Sequence, residues 1–310
     1  MKQVATRVHR SRPRRASVAF AVVLVGWPLV AAVGRLAAQD GSFYEVLRLP
    51  RPETPSVPGL EIGTPKLVPG LEGVDPAFAP TLTADLKVIV YSGGRNNRYD
   101  LWIAQRDSVD KPFGPPAVIT NCSTGQYETF PALSPDGLEL LYMRFEPQTR
   151  LYYSRRDSTK EEFGPAVPWA ITDALPPGRS PGGPQFIDQE NVQFGTRGET
   201  VEKNRAIMLT SRDAAGKPFG EPSVFLNLKA ATPYFISADR LRAYYGVPKG
   251  LHFAALKPDS DSFSPPTKIS NARMEGPIWL PPKEDVLFYS GPDEGNPVSE
   301  GNRKLWMLRL

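Results

Sequence analysis

Short apolar runs alternate with clusters of turn-forming residues along most of this chain. The clearest example lies between residues 127 and 165, where the letters SPDG at 134–137 separate two apolar runs. A third run, LYYS at 151–154, follows, and a charged turn at 156–158 leads to Phe163. Apolar and aromatic runs bounded by Gly, Pro, Asp and Ser favour short strands joined by tight turns. The pattern therefore predicts a β-sheet of three or four strands in this stretch.

The same unit recurs at fixed offsets along the chain. A residue that opens the third strand precedes an aromatic residue by twelve positions in four copies, which end at Phe113, Phe163, Phe219 and Phe263. A proline precedes the aromatic residue of the second strand by eleven positions in four copies and by ten in one. These prolines are Pro80, Pro131, Pro184, Pro233 and Pro277. A repeat of about 50 residues with several strands per copy is typical of a β-propeller.

The two ends of the repeat region predict how such a ring closes. Residues 62–67 imitate the closing strand of a copy, and residues 304–308 form a third strand with no fourth strand after it. We therefore predict an all-β, five-bladed β-propeller over residues 62–310, closed by an N-terminal strand. Its blades begin near residues 77, 128, 181, 230 and 274. Second strands such as 88–91 are apolar on both faces, as expected for blades packed between two neighbours.

The segment before the propeller predicts export. Six of the first fifteen residues are basic and none is acidic, nineteen uncharged residues follow at 16–34, and small residues lead to position 38. This order is typical of a signal peptide, although nineteen residues also suffice for a membrane anchor. Residues 1–38 are therefore a signal peptide or an anchor, and the protein is periplasmic or extracellular, either released or tethered to the inner membrane by residues 16–34. The Pro-rich residues 39–61 predict a tether.

Charge and composition exclude several classes of function. The whole chain has a net charge of +4, but residues 39–310 hold 30 basic and 33 acidic residues, so the exported body has no excess of positive charge for nucleic acid. After the leader the chain has one histidine, His252, and one cysteine, Cys122. A structural zinc site needs more such ligands, and a Ser-His-Asp triad needs a displayed histidine. We predict no metal, no cofactor and no intramolecular disulfide; Cys122 is expected to be a half-buried small residue, and its role stays open.

One copy of the repeat carries a recognisable motif. Residues 130–137, FPALSPDG, place a proline before Ser-Pro-Asp-Gly and an aromatic strand, and the other copies degrade this motif. It resembles the TolB-type, WD-like β-propeller repeat. The resemblance implies the propeller fold over about residues 62–310. Similar propellers serve as protein-docking platforms in the bacterial envelope and as substrate-gating domains of serine peptidases.

Three carboxylates keep an enzymatic alternative open. Asp75, Glu128 and Glu275 lie just before the innermost strands of blades one, two and five, where they would surround the mouth of the channel. Glycosidases with five blades use acids of this kind, and such chemistry needs a fixed pair of carboxylates. The offsets of these acids from the blade prolines differ, which favours acids that are simply solvated in loops. Asp85, Asp136 and Asp239 are predicted to be turn residues, because Asp hydrogen-bonds its own backbone in tight turns.

The connections between strands fall on two faces of a propeller. One face holds the turns between strands one and two, and these turns are short and stereotyped. The opposite face, here called the variable-loop face, holds loops whose length and content differ in each copy. Arginine and tyrosine dominate binding hot spots. The candidate ligand-binding residues of the variable-loop face are Arg95, Arg98, Tyr99, Tyr127, Arg144, Arg179, Arg197 and Arg273.

The sequence therefore predicts an exported binding module more than an enzyme. Its partner is a protein, peptide or glycan of the cell envelope, with membrane contact only through the N-terminal segment. The alternative is a carbohydrate-active hydrolase that uses the channel-mouth carboxylates. The identity of the ligand and the oligomeric state stay open.

Overall fold

The computed structural model describes residues 62–94, 98–175, 179–197, 205–228, 235–237, 239–247, 250–257, 263–292 and 302–310. The predicted signal or anchor (1–38) and tether (39–61) lie outside the described residues. In the described part of the chain, no helix has the length and apolar character needed to cross a membrane. A 3-10 helix at Ala170–Ala174 joins the second sheet to the third.

The described strands form five four-stranded antiparallel sheets in chain order, so the prediction of an all-β, five-bladed β-propeller is confirmed. Blade one holds β2 (Ala77–Leu82), β3 (Val88–Gly93), β4 (Asp100–Gln105) and β5 (Ala117–Val118). Blade two holds β6 (Tyr127–Leu133), β7 (Glu139–Phe145), β8 (Arg150–Arg155) and β9 (Val167–Pro168). Blade three holds β10 (Ser180–Phe186), β11 (Asn191–Arg197), β12 (Arg205–Ser211) and β13 (Ser223–Leu228).

Blades four and five complete the ring. Blade four holds β14 (Phe235–Ile236), β15 (Arg242–Val247), β16 (Gly250–Ala255) and β17 (Thr267–Ser270). Blade five holds β18 (Glu275–Trp279), β19 (Val286–Pro292) and β20 (Arg303–Arg309), and its outer strand is β1 (Lys66–Leu67). Lys66 lies opposite Met307, and Leu67 lies opposite Trp306.

The innermost strands share a bulge that the prolines impose. The register between first and second strand shifts next to the blade proline in β2, β6, β10 and β18. The residue before the proline has a positive φ of 53° at Ala79, 52° at Phe130 and 77° at Gly276. Because proline donates no backbone N–H, it is accommodated where the ladder is interrupted. The bulges decide which side chains near the start of each inner strand face which neighbour.

The predicted turn residues are confirmed. Thr83 and Ser134 donate from their hydroxyls to Asp85 and Asp136 at 2.6 Å, and Ser237 donates to Asp239 in the same way. Each carboxylate also accepts the backbone N–H two positions later. The glycine position of the motif keeps its left-handed backbone even where glycine is lost, with φ of 76° at Gly137, 60° at Leu86 and 63° at Arg240. The degraded copies therefore keep the original turn.

An arginine clamps the recurrent aromatic residue in three blades. The guanidinium carbon lies 4.4 Å from the ring centroid for Arg106 on Phe113 and for Arg156 on Phe163, and 4.5 Å for Arg212 on Phe219. The Nε atom of each arginine also donates to a carbonyl in the turn between the first two strands of its blade. In blade four Leu256 takes the position of the arginine, and its backbone forms an isolated β-bridge with Phe263. Phe113 and Phe163 are buried, whereas Phe219 and Phe263 are only partly buried, so the aromatic residues are not equivalent in packing.

Replacing Phe163 with alanine is therefore expected to cost about 3 kcal/mol of the free energy of unfolding, because a fully buried ring is lost from under Arg156. Phe263→Ala is the matched variant, since the ring is only partly buried and no arginine covers it in the part of blade four that is described. Its cost should be clearly smaller. Denaturant unfolding of both variants measures the difference, and equal costs would contradict this account.

Candidate functional site

The variable-loop face consists of the starts of the first and third strands and the ends of the second strands. Antiparallel pairing brings these to one end of every blade. Among the predicted ligand-binding residues, those described at this end are Arg98, Tyr99, Tyr127, Arg144, Arg179 and Arg273. Arg95 lies outside the described residues. Arg197 ends β11 opposite Ser180, and its side chain is outside the description.

Aromatic side chains from blades one and two meet on this face. The Phe78 ring lies 4.9 Å from Tyr99 and 5.8 Å from Phe130, both edge to face, and Tyr99 lies 6.3 Å from Tyr127. Tyr127 is 42% exposed, and its cross-strand partner Phe145 is 41% exposed. The open end of the β6–β7 hairpin, away from its turn, thus exposes two neighbouring aromatic side chains to solvent.

Two further arginines of the prediction have defined surroundings. The Nη2 atom of Arg98 donates to the carbonyl of Thr124 and lies 4.0 Å from Asp100, while more than half of the side chain remains exposed. Nη1 of Arg179 donates to the hydroxyl of Thr196 at 3.1 Å. Arg98 is therefore the more available of the two for a partner.

Arg144 is not a loop residue. It lies within β7, and its side chain is only 12% exposed. Its Nε atom donates to Oε1 of Glu128 at 3.0 Å, its Nη2 atom donates to the Tyr142 hydroxyl at 2.8 Å, and its guanidinium carbon lies 3.8 Å from the centroid of the Tyr152 ring. Burial lowers the pKa of Arg144, but the neighbouring Tyr142 and Glu128 outweigh this and raise it overall, so the side chain stays cationic. The structure shows a fixed, largely buried cation within a strand where the sequence predicted a ligand-binding residue of a variable loop.

Glu128 is not a solvated loop acid either. Its side chain is 0% exposed, and Oε1 accepts hydrogen bonds from Arg144 and from the Thr124 hydroxyl at 2.5 Å. Its other oxygen, Oε2, is buried and has no hydrogen-bond partner among the described residues. A buried carboxylate that is paired on one side is held in a single position, because separation from its cation is costly.

The other two predicted acids differ from Glu128. Asp75 is about one-third exposed, and its Oδ2 lies 3.8 Å from Nζ of Lys304, which forms a partly exposed ion pair. Glu275 begins β18 opposite Ser290, and its side chain is outside the description. The structure therefore shows no facing pair of carboxylates among the described side chains of this face.

Glu128 and Glu275 nevertheless hold the same register position. Each lies opposite the residue that comes two places after the aromatic residue of its second strand, Arg144 after Tyr142 and Ser290 after Phe288. Their offsets from the blade prolines differ because the bulge in β18 begins directly after Glu275, whereas in β6 Thr129 is still paired before the bulge begins. Blades one and three fill this position with the pairs Ala77–Gly93 and Pro181–Thr196. The Glu128–Arg144 pair is thus an ion pair at a position that is uncharged in both of those blades.

Cys122 lies under the same cluster. It is fully buried rather than half-buried, and its carbonyl accepts a hydrogen bond from the Tyr142 hydroxyl at 3.0 Å. Burial raises the pKa of the Cys122 thiol to about 11, so the thiol is protonated at neutral pH and is a poor nucleophile. In the described residues, no group of three or more His, Cys, Asp or Glu side chains is placed to hold a metal ion.

The opposite end of the channel is apolar. A depression lies there, and its lining includes one buried apolar residue from each blade: Leu82, Leu133, Phe186, Phe235 and Trp279. Glu284 reaches this rim, but the Tyr244 hydroxyl donates to it and Arg242 lies 3.0 Å away. The described lining of this depression therefore offers a ligand mainly apolar side chains.

Sequence reasoning missed four residues of this face: Phe78, Phe145, Glu146 and Tyr152. Phe145 could have been found, because it follows Arg144 at the end of the second strand and the hairpin must place it beside Tyr127. Tyr152 could not, because its contact with Arg144 depends on the register between β7 and β8.

Comparison with known proteins supports the fold. No family model matches the chain, and no curated protein matches it. Among solved structures, the family 117 glycoside hydrolase Zg3597 of Zobellia galactanivorans is 13% identical, with a TM-score of 0.51, over 80% of this chain and 89% of that one. TolB from Acinetobacter baumannii is 16% identical, with a TM-score of 0.46, over 76% of this chain, which spans 55% of the TolB chain. A family 62 α-L-arabinofuranosidase of Coprinopsis cinerea is 12% identical, with a TM-score of 0.46, over 79% and 95% of the two chains. The fold is shared with Zg3597, and likeness at this level of identity says nothing about activity.

Proposed function

We propose that this protein is an exported, non-catalytic binding module whose variable-loop face engages a protein, peptide or glycan of the cell envelope. The observation that carries the proposal is the exposed aromatic pair Tyr127 and Phe145 beside the exposed Arg98 and the fixed Arg144. Aromatic and arginine side chains on a rigid scaffold are the composition of binding hot spots. The basic and apolar leader at residues 1–38 supports export.

Two finer points belong to the same proposal. The FPALSPDG motif at residues 130–137 supports a TolB-type repeat. The pairing of β1 with β20 supports a ring that is closed by the segment preceding blade one. Both agree with a docking platform whose loops vary while its sheets stay constant.

A carbohydrate-active hydrolase is the second candidate. It is favoured by the common register position of Glu128 and Glu275 in the two blades that flank blade one. Against it, Glu128 is fully buried and ion-paired, whereas glycoside hydrolysis needs an acid that reaches the glycosidic oxygen and a second carboxylate at a defined separation. The binding module explains the exposed groups of the face, and the hydrolase does not.

The double variant Arg98→Glu/Tyr127→Ala tests the binding module. Ligands are first selected from a displayed library of random peptides and from an array of cell-envelope glycans. We expect the variant to bind the selected ligands at least about tenfold more weakly, because hot-spot side chains of these types each contribute about 2 kcal/mol. Its melting temperature should stay near that of the parent, since both side chains are largely exposed.

The matched control lies on the opposite face. Val109 and Lys111 are an exposed apolar residue and an exposed cation in the turn after β4. Lys111→Glu/Val109→Ala changes charge and apolar surface in the same way and should leave binding unchanged. An equal loss in both double variants would refute the assignment of the face. Release of reducing ends from polysaccharides by the parent, and its loss in Glu128→Gln, would establish the hydrolase instead.

A further inference from the structure

We infer that Arg144 and Tyr152 form a recess for a carboxylate of an acidic peptide, and that Glu146 occupies this recess in the free protein. The inference rests on the proposed function and names the chemistry of its partner. It concerns blade two alone, because the Arg144 position holds Gly93, Thr196 and Ser290 in blades one, three and five.

The arginine of the recess is pre-organised. Glu128 fixes Nε, the Tyr142 hydroxyl and the Cys122 carbonyl fix Nη2, and the Tyr152 ring supports one flat side of the guanidinium. The remaining nitrogen, Nη1, points towards Glu146 at the rim of the variable-loop face. A guanidinium that is already held in place loses little conformational freedom when it binds a carboxylate.

Glu146 is bound closely by Tyr152 but only at a distance by Arg144. Its Oε1 accepts a hydrogen bond from the Tyr152 hydroxyl at 2.5 Å but lies 3.8 Å from Nη1 of Arg144, beyond hydrogen-bond distance. The Glu146 side chain is partly exposed. The recess thus already accepts a carboxylate group, and a ligand carboxylate that approaches Nη1 more closely would gain a charge-assisted hydrogen bond.

The charge balance makes Glu146 replaceable. Arg144 is neutralised by Glu128, which is fully buried at 3.0 Å and cannot leave without exposing an unpaired buried charge. Glu146 is therefore a second acid beside one cation, and its displacement leaves the Glu128–Arg144 pair intact. A ligand acid can take its place without disturbing the fold.

The surroundings favour a peptide over a sugar. Tyr127 and Phe145 show aromatic surface at the same end of blade two, on the side of the sheet opposite to Arg144, and aromatic residues together with arginine are the usual composition of a protein-binding hot spot. Acidic motifs are commonly recognised by arginine side chains. The fitting partner is an extended acidic segment with an aromatic or aliphatic side chain next to the acid.

The variant Glu146→Gln tests the recess. The probes are fluorescent decapeptides of alternating Glu and Tyr, and their counterparts of alternating Ser and Tyr, measured by anisotropy with the whole purified propeller. The substitution removes the internal competitor's charge, so affinity for the Glu-Tyr peptide should rise at least about threefold, with no change for the Ser-Tyr peptide. Glu162→Gln, an exposed acid in the turn after β8, controls for net charge and should change neither affinity.

Two results would overturn the inference. One is that Glu146→Gln binds the Glu-Tyr peptide no more tightly than the parent does, or that neither protein binds it. The other is an equal rise in Glu162→Gln, which would indicate only a general charge effect. If the recess fails in this way while Arg98→Glu/Tyr127→Ala still loses its selected ligands, the proposed binding module stands with a different partner. If the recess fails and Arg98→Glu/Tyr127→Ala also keeps its binding to the selected ligands, the proposed binding module is refuted as well.

Discussion

A chain that lacks residues 62–70 is expected to lose the closed ring. These residues supply β1, the buried Val68, and backbone hydrogen bonds of 3.0 Å from Val68 to Leu305 and from Gly63 to Arg309. Without them the third strand of blade five becomes an open edge, which templates aggregation. Burial of a valine side chain alone is worth about 2 kcal/mol, and each kcal/mol shifts the melting temperature of a domain of this size by about 2–4 °C. We expect aggregation or a melting temperature at least about 10 °C lower.

A peptide that corresponds to residues 62–70 provides the control. Added in excess to the truncated chain, it should bind beside β20 and restore much of the melting temperature, because strand addition replaces the lost ladder. Lys66→Ala in the full chain changes only an exposed side chain of β1 and should be neutral. A truncated chain that melts like the parent would show that β1 does not close the ring.

Arg212→Ala is expected to cost about 3 to 5 kcal/mol of the free energy of unfolding. Arg212 and Glu139 form a buried, two-pronged ion pair between blades two and three, and their side chains are 1% and 3% exposed. The Tyr153 hydroxyl donates to the same carboxylate at 2.7 Å. Removing the arginine leaves Glu139 as an uncompensated charge in the interior, which is strongly destabilising. Denaturant unfolding of the variant measures the cost.

Arg156→Ala is the matched control for that prediction. Arg156 makes the same contacts with a ring and a turn carbonyl, but blade one has Val88 where blade two has Glu139. Burial lowers the pKa of Arg156 to about 10, and its Nη2 has no hydrogen-bond partner among the described residues. Its loss should cost clearly less. The double variant Glu139→Leu/Arg212→Leu should lie near the parent, since replacing both charges removes the penalty. Equal costs for the two single variants would refute the role of Glu139.

The ring could be predicted from the sequence because its determinants are local. The prolines of the inner strands and the Asp turns recur at nearly fixed offsets, and each acts through its own backbone. The contacts of Arg144 could not be predicted in this way. They depend on the length of a bulge in β6 and on the pairing of β7 with β8, and neither leaves a pattern in a single copy. For the same reason, offsets from the prolines hid the common position of Glu128 and Glu275.

The clamping arginines show a different limit. Each clamping arginine is followed directly by an aspartate, Asp107, Asp157 or Asp213, and the sequence does not show which member of such a charged pair packs on the ring. The arginine carries the packing, because its long apolar stem and flat head can cover a ring while its Nε reaches a carbonyl. Arginine is rarely buried, so its polarity alone predicts a position on the surface.

The charged pair in the wall of blade two also bears on how the molecule arose. Five tandem copies of one unit imply duplication of an ancestral blade. Ala77 with Gly93, and Pro181 with Thr196, show that a blade of this lineage folds without charge at that position. Glu128 and Arg144 are therefore not required for a blade to fold, and their burial costs desolvation. Blade five holds Glu275 opposite Ser290 at the same position, so the copies differ there in more than one way, and blade two is the copy that carries a complete ion pair.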